Sequence, residues 1–292
     1  MDIAVQHKDD VTNTLGGLPV RMVDKPWGVK DLPAPFHTPD GEDGKARQIG
    51  EIWFEPPEAL PQLLIKYIFT SDKLSVQVHP SDTQTLLKGL GKQGKEECWL
   101  VLATEPGAQL GIGFHEPVDH DTMRAAALDG RIEGMMVWHD VVPGDFFYIP
   151  ANTVHAIGTG VTVMEVQQNS DITYRLYDYG RPRELHLDDG IAVALGEVYD
   201  LAKWHRRLGE GESAALVDGP YFRMDRVCGV PEADVLARYA SGDAGAGLLV
   251  APLQGDVVVD GATVSPGGCA LASGVGAIRF AADGVALLAQ PI

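Results

Sequence analysis

The chain has 292 residues, 45% hydrophobic and 22% charged, the balance of a folded protein long enough for one large or two modest domains. It carries 23 Lys and Arg against 41 Asp and Glu, a formal net charge of -18. That acidity argues against nucleic-acid binding and against adsorption to anionic lipid, and it obliges any anionic small substrate to find a local positive site in a repelling field.

Residues 1–10 lack the apolar core of a signal peptide, and no apolar run approaches the roughly 18 residues of a membrane span. The three cysteines, Cys98, Cys228 and Cys269, are far apart and form no CxxC pair. That usage fits a reducing cytoplasm rather than a disulfide framework.

Through residue 50 the density of Pro and Gly predicts irregular chain, because both suppress helix and central strand. From residue 52 short apolar or alternating runs follow one another, separated by turn residues: Leu63 to Phe69, Leu74 to Val78, Cys98 to Ala103, Phe146 to Ile149 and Val161 to Val166. This is the pattern of an all-β sandwich or barrel. Two helical insertions are predicted. One runs over Thr122 to Asp129, capped by Asp121 and stopped at Gly130; the other covers Leu185 to Leu208, where Ile191, Ala194, Leu195 and Val198 recur at helical spacing. Residues 209–213 read as a linker. The tail beyond them reads as short strands joined by Asp260-Gly261, Pro266-Gly267 and Asp283-Gly284 turns. Pro143-Gly144 and Pro266-Gly267 each lead into a strand, a weak internal repeat, but the tail copy brings no His, Asp or Glu through Phe280.

The chemistry gathers in three places. Gln77 and His79 alternate on one strand and point to one face. Glu97 opens the run Glu97-Cys98-Trp99-Leu100-Val101, with Glu96 beside it offering the same group. His155 follows Pro143-Gly144, a strand, and the loop Pro150-Ala151-Asn152. An X-x-His pair, a Glu one strand later, and a His after a glycine turn, a strand and a proline loop form the metal-site pattern of cupin barrels. Asn152 stands where that pattern has glycine, and Asn tolerates a left-handed backbone. Two imidazoles, one carboxylate and one amide oxygen suit a borderline divalent ion such as zinc, and with one charged ligand the centre keeps its Lewis acidity.

Longer segments carry a more specific likeness. Leu74 to Pro80, Gly94 to Trp99, Ile149 to Gly158, Glu165 to Arg181 and Arg183 to His186 resemble type I mannose-6-phosphate isomerases of the short bacterial form, with Trp27-Gly28 and Gly50 to Trp53 as N-terminal landmarks. The resemblance is dense over residues 50–190. It implies a mainly β fold: a cupin (jelly-roll) barrel with helical insertions over residues 1–208, and a second, smaller, metal-free cupin-like β domain over 214–292. It implies zinc, one divalent ion per chain, held by Gln77, His79, Glu97 and His155. It implies Arg175 as the catalytic arginine, with Lys95 and Glu165 in the pocket and Lys66 a weaker candidate on the phosphate side. The implied reaction is the interconversion of mannose 6-phosphate and fructose 6-phosphate through an enediol by a cytoplasmic enzyme, monomer or homodimer. A cupin dioxygenase using iron at the same ligands and a non-catalytic sugar-binding cupin are the alternatives. The ordinary structural readings are ion pairing of Arg175 with Asp171 or Asp178, a solvated Glu96, turn roles for His139, Asp140 and Asp145, and structural roles for His115, His120 and His186.

Overall fold

A computed structural model describes residues 11–12, 17–240 and 247–292. The first ten residues, on which the reading of an absent leader rests, lie outside them. In chain order the elements are β1 Val11–Thr12, β2 Val20–Val29, β3 Ile49–Phe54, β4 Leu63–Phe69, β5 Val76–Val78, α1 Asp82–Leu87, β6 Glu97–Thr104, β7 Gln109–Phe114, α2 His120–Asp129, α3 Ile132–Met135, β8 Met136–Asp140 and β9 Asp145–Ile149. They continue with β10 His155–Ile157, β11 Val161–Gln168, β12 Tyr174–Tyr177, α4 Leu187–Val193, α5 Leu201–Trp204 and β13 His205–Arg207. The last part holds β14 Ala214–Asp218, β15 Phe222–Cys228, α6 Ala233–Ala240, β16 Leu248–Gln254, β17 Val257–Val259, β18 Ala262–Val264, β19 Ala270–Ala272, β20 Ile278–Phe280 and β21 Val285–Pro291.

The fold is mainly β, as expected. An antiparallel sheet ordered β1-β2-β3-β4-β11-β6-β9-β13 faces a second ordered β12-β5-β10-β7-β8. Side chains alternate across each strand, so each strand of the first sheet serves two layers. Ile68, Trp99, Val101, Phe147, Ile149 and Val163 point inward and meet Leu110, Ile112 and Ile157 of the second sheet. Ile65, Tyr67, Cys98, Leu100, Phe146, Tyr148, Met164 and Val166 point outward, onto Phe222, Met224, Leu249, Leu287 and Ala289 of a third sheet, β14-β15-β21-β16-β19. That second layer explains why β4 reads as an unbroken apolar run rather than an alternating one: all seven of its residues are buried. A small sheet, β18-β17-β20, closes the C-terminal part over Val227, Leu248, Val250, Val257 and Ile278.

Several expectations need correction. Residues 20–29 are a ten-residue strand despite Pro26, because the β2–β3 register is interrupted between Asp24 and Val29 and the proline sits where no ladder N–H is required. The α2 cap is Asp119, whose side chain accepts from Thr122 N at 2.8 Å, while Gly130 closes the helix at φ 84° as expected. The long second helix is not formed. It divides into α4 and α5, because the segment between them is a strap: Leu195 N donates to Asn152 O, Val118 N donates to Gly196 O, and Phe114 N donates to Glu197 O. Backbone pairing there overrides an apolar periodicity that leaves Leu195 and Val198 exposed. In the tail, α6 was not foreseen among the strands.

Candidate metal centre and barrel mouth

The ligand strands belong to different sheets and meet inside the barrel. On one sheet His155 pairs with Gln77 across β10 and β5, and Arg175 pairs with Gln77 across β12 and β5. On the other, Gln167 of β11 pairs with Glu97 of β6, and Glu165 pairs with Trp99 and with Lys66 of β4. Directly opposed residues share a face, so these pairings line up the inward row that the sequence pattern anticipates.

His79, Glu97 and His155 are at most 1% exposed, and each offers a ligand atom within 4.8 Å of the other two. The tautomers are settled by the backbone. His79 Nδ1 donates to Ile172 O and His155 Nδ1 to Thr153 O, both at 2.9 Å, and a carbonyl can only accept. Both Nε2 lone pairs are left to face Glu97, at 3.5 Å from Oε2 for His79 and 3.3 Å from Oε1 for His155. Burial is the main force holding both imidazoles below the ordinary histidine range, so they stand neutral and ready to ligate. Burial alone raises the Glu97 carboxyl, but the Lys95 ammonium at 2.7 Å holds it well below the usual carboxylate range. Gln77 is half-buried, with Nε2 3.3 Å from His155 Nε2 and Oε1 accepting from Ser75 Oγ at 3.2 Å. A half turn of this amide exchanges its nitrogen for its oxygen, and the serine hydroxyl can serve either end. Neutral imidazoles, an ionised carboxylate whose Oε1 has no hydrogen-bond partner among the described residues and whose Oε2 meets only the Lys95 ammonium and His79, and an adjacent amide are a donor set that fits a divalent metal.

The charged neighbours form a buried chain. Lys95 Nζ lies 2.7 Å from Glu97 Oε2, 3.1 Å from His79 Nε2 and 3.7 Å from Glu165 Oε1. Lys66 Nζ lies 3.0 Å from Glu165 Oε1. Trp99 Nε1 donates to Glu165 Oε2 at 3.0 Å, and Trp53 Nε1 to Glu51 Oε2 at 2.6 Å. Burial, reinforced by Glu97, raises the Glu165 carboxyl above its ordinary range despite the two lysines. Lys66, Lys95 and Arg175 stand against Glu51, Glu97 and Glu165, all buried, so the formal charges cancel three to three and a divalent ion would leave the interior positive.

The structure thus brings Gln77, His79, Glu97, His155, Lys95 and Glu165 together. Arg175 lies one strand away, with Nη1 donating to Glu184 O at 2.7 Å. Asp178, one of the two alternative structural partners for Arg175, pairs with Arg181 and Arg183. Glu96 is half-buried rather than freely solvated: Tyr148 OH donates to its carboxylate and Gln168 Oε1 accepts from its backbone N–H. Asp145 serves its turn by accepting from Val142 N, and it also binds His205 and Arg207. Asp140 accepts from Gln109, while His120 Nε2 donates to Ala194 O. Lys66 and Glu51 deserved more weight than the sequence reading gave them, and their signal was a charge inside a run of otherwise buried strand residues.

A cavity of about 350 Å³ lies beside the donor set, walled by Trp53, Leu64, Leu90, Lys92, Asn169, Ser170 and Ile172 among others. Its Ile172 wall carries the carbonyl that orients His79.

No family model matches the chain. The mannose-6-phosphate isomerase of Streptococcus mutans is 38% identical over 169 residues, covering 56% of this chain and 53% of that protein. The mannose-6-phosphate isomerase ManA of Bacillus subtilis is 36% identical over 174 residues, covering 56% of this chain and 54% of that protein. The chain resembles mannose-6-phosphate isomerases. It spans about half the length of these two curated mannose-6-phosphate isomerases. A crystal structure of mannose 6-phosphate isomerase from Bacillus subtilis superposes with a TM-score of 0.74 over 95% of this chain and 99% of that one, at 21% identity. At that identity the mannose-6-phosphate isomerase likeness of the solved structure speaks for the fold.

Proposed function

We propose that the chain is a zinc-dependent aldose–ketose isomerase that interconverts mannose 6-phosphate and fructose 6-phosphate through an enediol. The observation that carries this reading is the buried His79–Glu97–His155 donor set, with Lys95 against it, Glu165 3.7 Å from Lys95, and Arg175 one strand away, in a chain similar to proteins of that name. Residues 1–208 form the metal-bearing part and 214–292 the smaller C-terminal part, and a cytoplasmic setting accords with three free cysteines.

Isomerisation moves a proton between C1 and C2 while negative charge grows on the sugar oxygens. His79, Glu97, His155 and Gln77 are the residues that would hold the ion. When bound, zinc supplies Lewis acidity for those oxygens. Glu165 is the candidate to take and return the proton: burial and Glu97 favour its protonated form, two lysines favour its ionised form, and a group so balanced changes state at little cost. Lys95 donates toward Glu97 and reaches Glu165, so it can relay charge between metal face and acid–base face. Arg175, held by the Glu184 carbonyl, offers a fixed positive charge to the enediolate. The interior excess left by a divalent ion accommodates the anionic substrate against the field of the whole protein.

The test is an assay of the interconversion on protein loaded with zinc and on protein stripped by chelator, with metal analysis of each. Activity that survives complete metal removal overturns the reading. Two imidazoles and a carboxylate also serve iron oxygenases, so bound iron with oxygen consumption would replace it by a dioxygenase. Arg175→Ala with unchanged turnover would remove the arginine from the mechanism and leave the metal assignment standing.

A further inference from the structure

We infer that the side-chain carbonyl of Gln167 is a receptor for a sugar hydroxyl in this pocket, an inference that rests on the isomerase reading. Gln167 lies on β11 between Glu97 of β6 and Leu64 of β4, its two cross-strand partners. Glu97 belongs to the candidate donor set and Leu64 to the wall of the neighbouring cavity, so Gln167 occupies the step between them.

Its amide cannot be turned over. Nε2 donates to Gln168 O at 2.8 Å and to Ser170 O at 2.7 Å, which uses both amide hydrogens. The reversed amide would set Oε1 against two carbonyl oxygens. Oε1 is therefore fixed on the other side. The residue is 1% exposed, and Oε1 has no hydrogen-bond partner among the described residues. Native structures seldom leave a buried acceptor of known orientation unmade, because its lost hydration is not repaid. A donor arriving with the ligand supplies what is missing.

The chemistry of the atom limits that donor. A neutral carbonyl oxygen repels phosphate oxygens and accepts from O–H, so it reads the polyol part of a sugar phosphate. A site built to bind a hydroxyl rejects the analogue that lacks it, since the receptor is then buried unpaired again.

The experiment compares zinc-loaded wild type with Gln167→Met, which keeps length and apolar volume but has no carbonyl. Binding by calorimetry and steady-state turnover are measured for mannose 6-phosphate and for its monodeoxy analogues, with metal content of each preparation. Wild type is expected to discriminate at least about tenfold against one monodeoxy analogue, and the variant to lose that discrimination while holding the same metal per chain. An unchanged discrimination ratio overturns the inference and leaves the isomerase reading intact. Loss of metal in the variant overturns it in favour of a contact to the metal's own water. A wild type that neither binds nor converts the sugar phosphate removes both readings together. Gln167→Asn withdraws the carbonyl by one methylene, and it carries the same expectation if the methionine variant does not fold.

Discussion

The Lys95 ammonium sits 2.7 Å from the Glu97 carboxylate, on the donor set that fits a metal. In the metal-free protein it is the nearest counter-ion of a fully buried charge. Replacing it by Met leaves that carboxylate uncompensated, at a cost of about 3–5 kcal/mol. Lys95→Met is therefore expected to melt well below wild type when stripped of metal, and to gain more from added zinc than wild type does. Calorimetric melting with and without chelator checks this. Equal gains in the two proteins would mean that the lysine and the metal do not answer to the same carboxylate.

Lys66 and Glu165 are a cross-strand pair at 3.0 Å, with side chains at most 7% exposed. Either single replacement, Lys66→Met or Glu165→Gln, strands a buried charge and should cost about 3–5 kcal/mol. The double variant should cost less than the sum by about 1–3 kcal/mol. Urea unfolding of the four proteins measures the cycle, and strict additivity would dissolve the pair. Turnover should fall by about 10²–10⁴ in Glu165→Gln if the carboxyl moves the proton.

Gly196 has no room for a side chain: a Cβ there would lie 1.7 Å from Val118 O. The same two residues share the strap hydrogen bond from Val118 N to Gly196 O. Gly196→Ala must push backbone from backbone, and a loss of about 2–3 kcal/mol is expected from denaturant titration. Gly134→Ala, at a position open to solvent around its Cβ, is the control that should show little change.

Glu51 contributes to the acid limb of the stability. Burial raises its pKa, but Lys25 at 3.5 Å, Lys66 and the Trp53 hydrogen bond bring it down to about 2 from 4.5. A carboxyl with a lowered folded pKa stabilises the protein above its unfolded pKa, and that contribution fades as the pH falls from about 4.5 toward 2. The shift corresponds to about 3 kcal/mol. Glu51→Gln should remove this slope, so its stability and that of wild type converge at low pH. Parallel profiles across that window count against the assignment.

The sequence discloses what depends on period and on local turn chemistry. The inward set Gln77, His79, Glu97 and His155 is legible because strand alternation and the loop at Asn152 are local properties, and Asn152 does take the left-handed backbone at φ 73°. The boundaries of β4 and the stop at Gly130 are legible for the same reason. The strap at Leu195 to Glu197 is not, since only the distant carbonyl of Asn152 and the loop at Val118 decide it. Nor is the Glu51–Lys66–Glu165–Lys95 chain, because its members come from three strands and an adjoining loop whose order in space is not their order in sequence. Trp27-Gly28 is intermediate. The pair is recognisable as a landmark, but its reason, a glycine whose Cβ would lie 2.5 Å from Gly50 N, appears only in three dimensions.

The outward face of the strands that carry Glu97 and Glu165 is covered by β15, β16 and β21, with Cys98 against Met224 and, on neighbouring β9, Tyr148 against Phe222. One apolar layer thus belongs to both parts of the chain. Cutting the chain in the 209–213 turn would bare the back of the very strands that aim Glu97 and Glu165. The C-terminal sheet acts as the brace behind the strands that hold the donor atoms, through contacts such as Tyr148 to Phe222 and Cys98 to Met224 that join distant stretches of the chain.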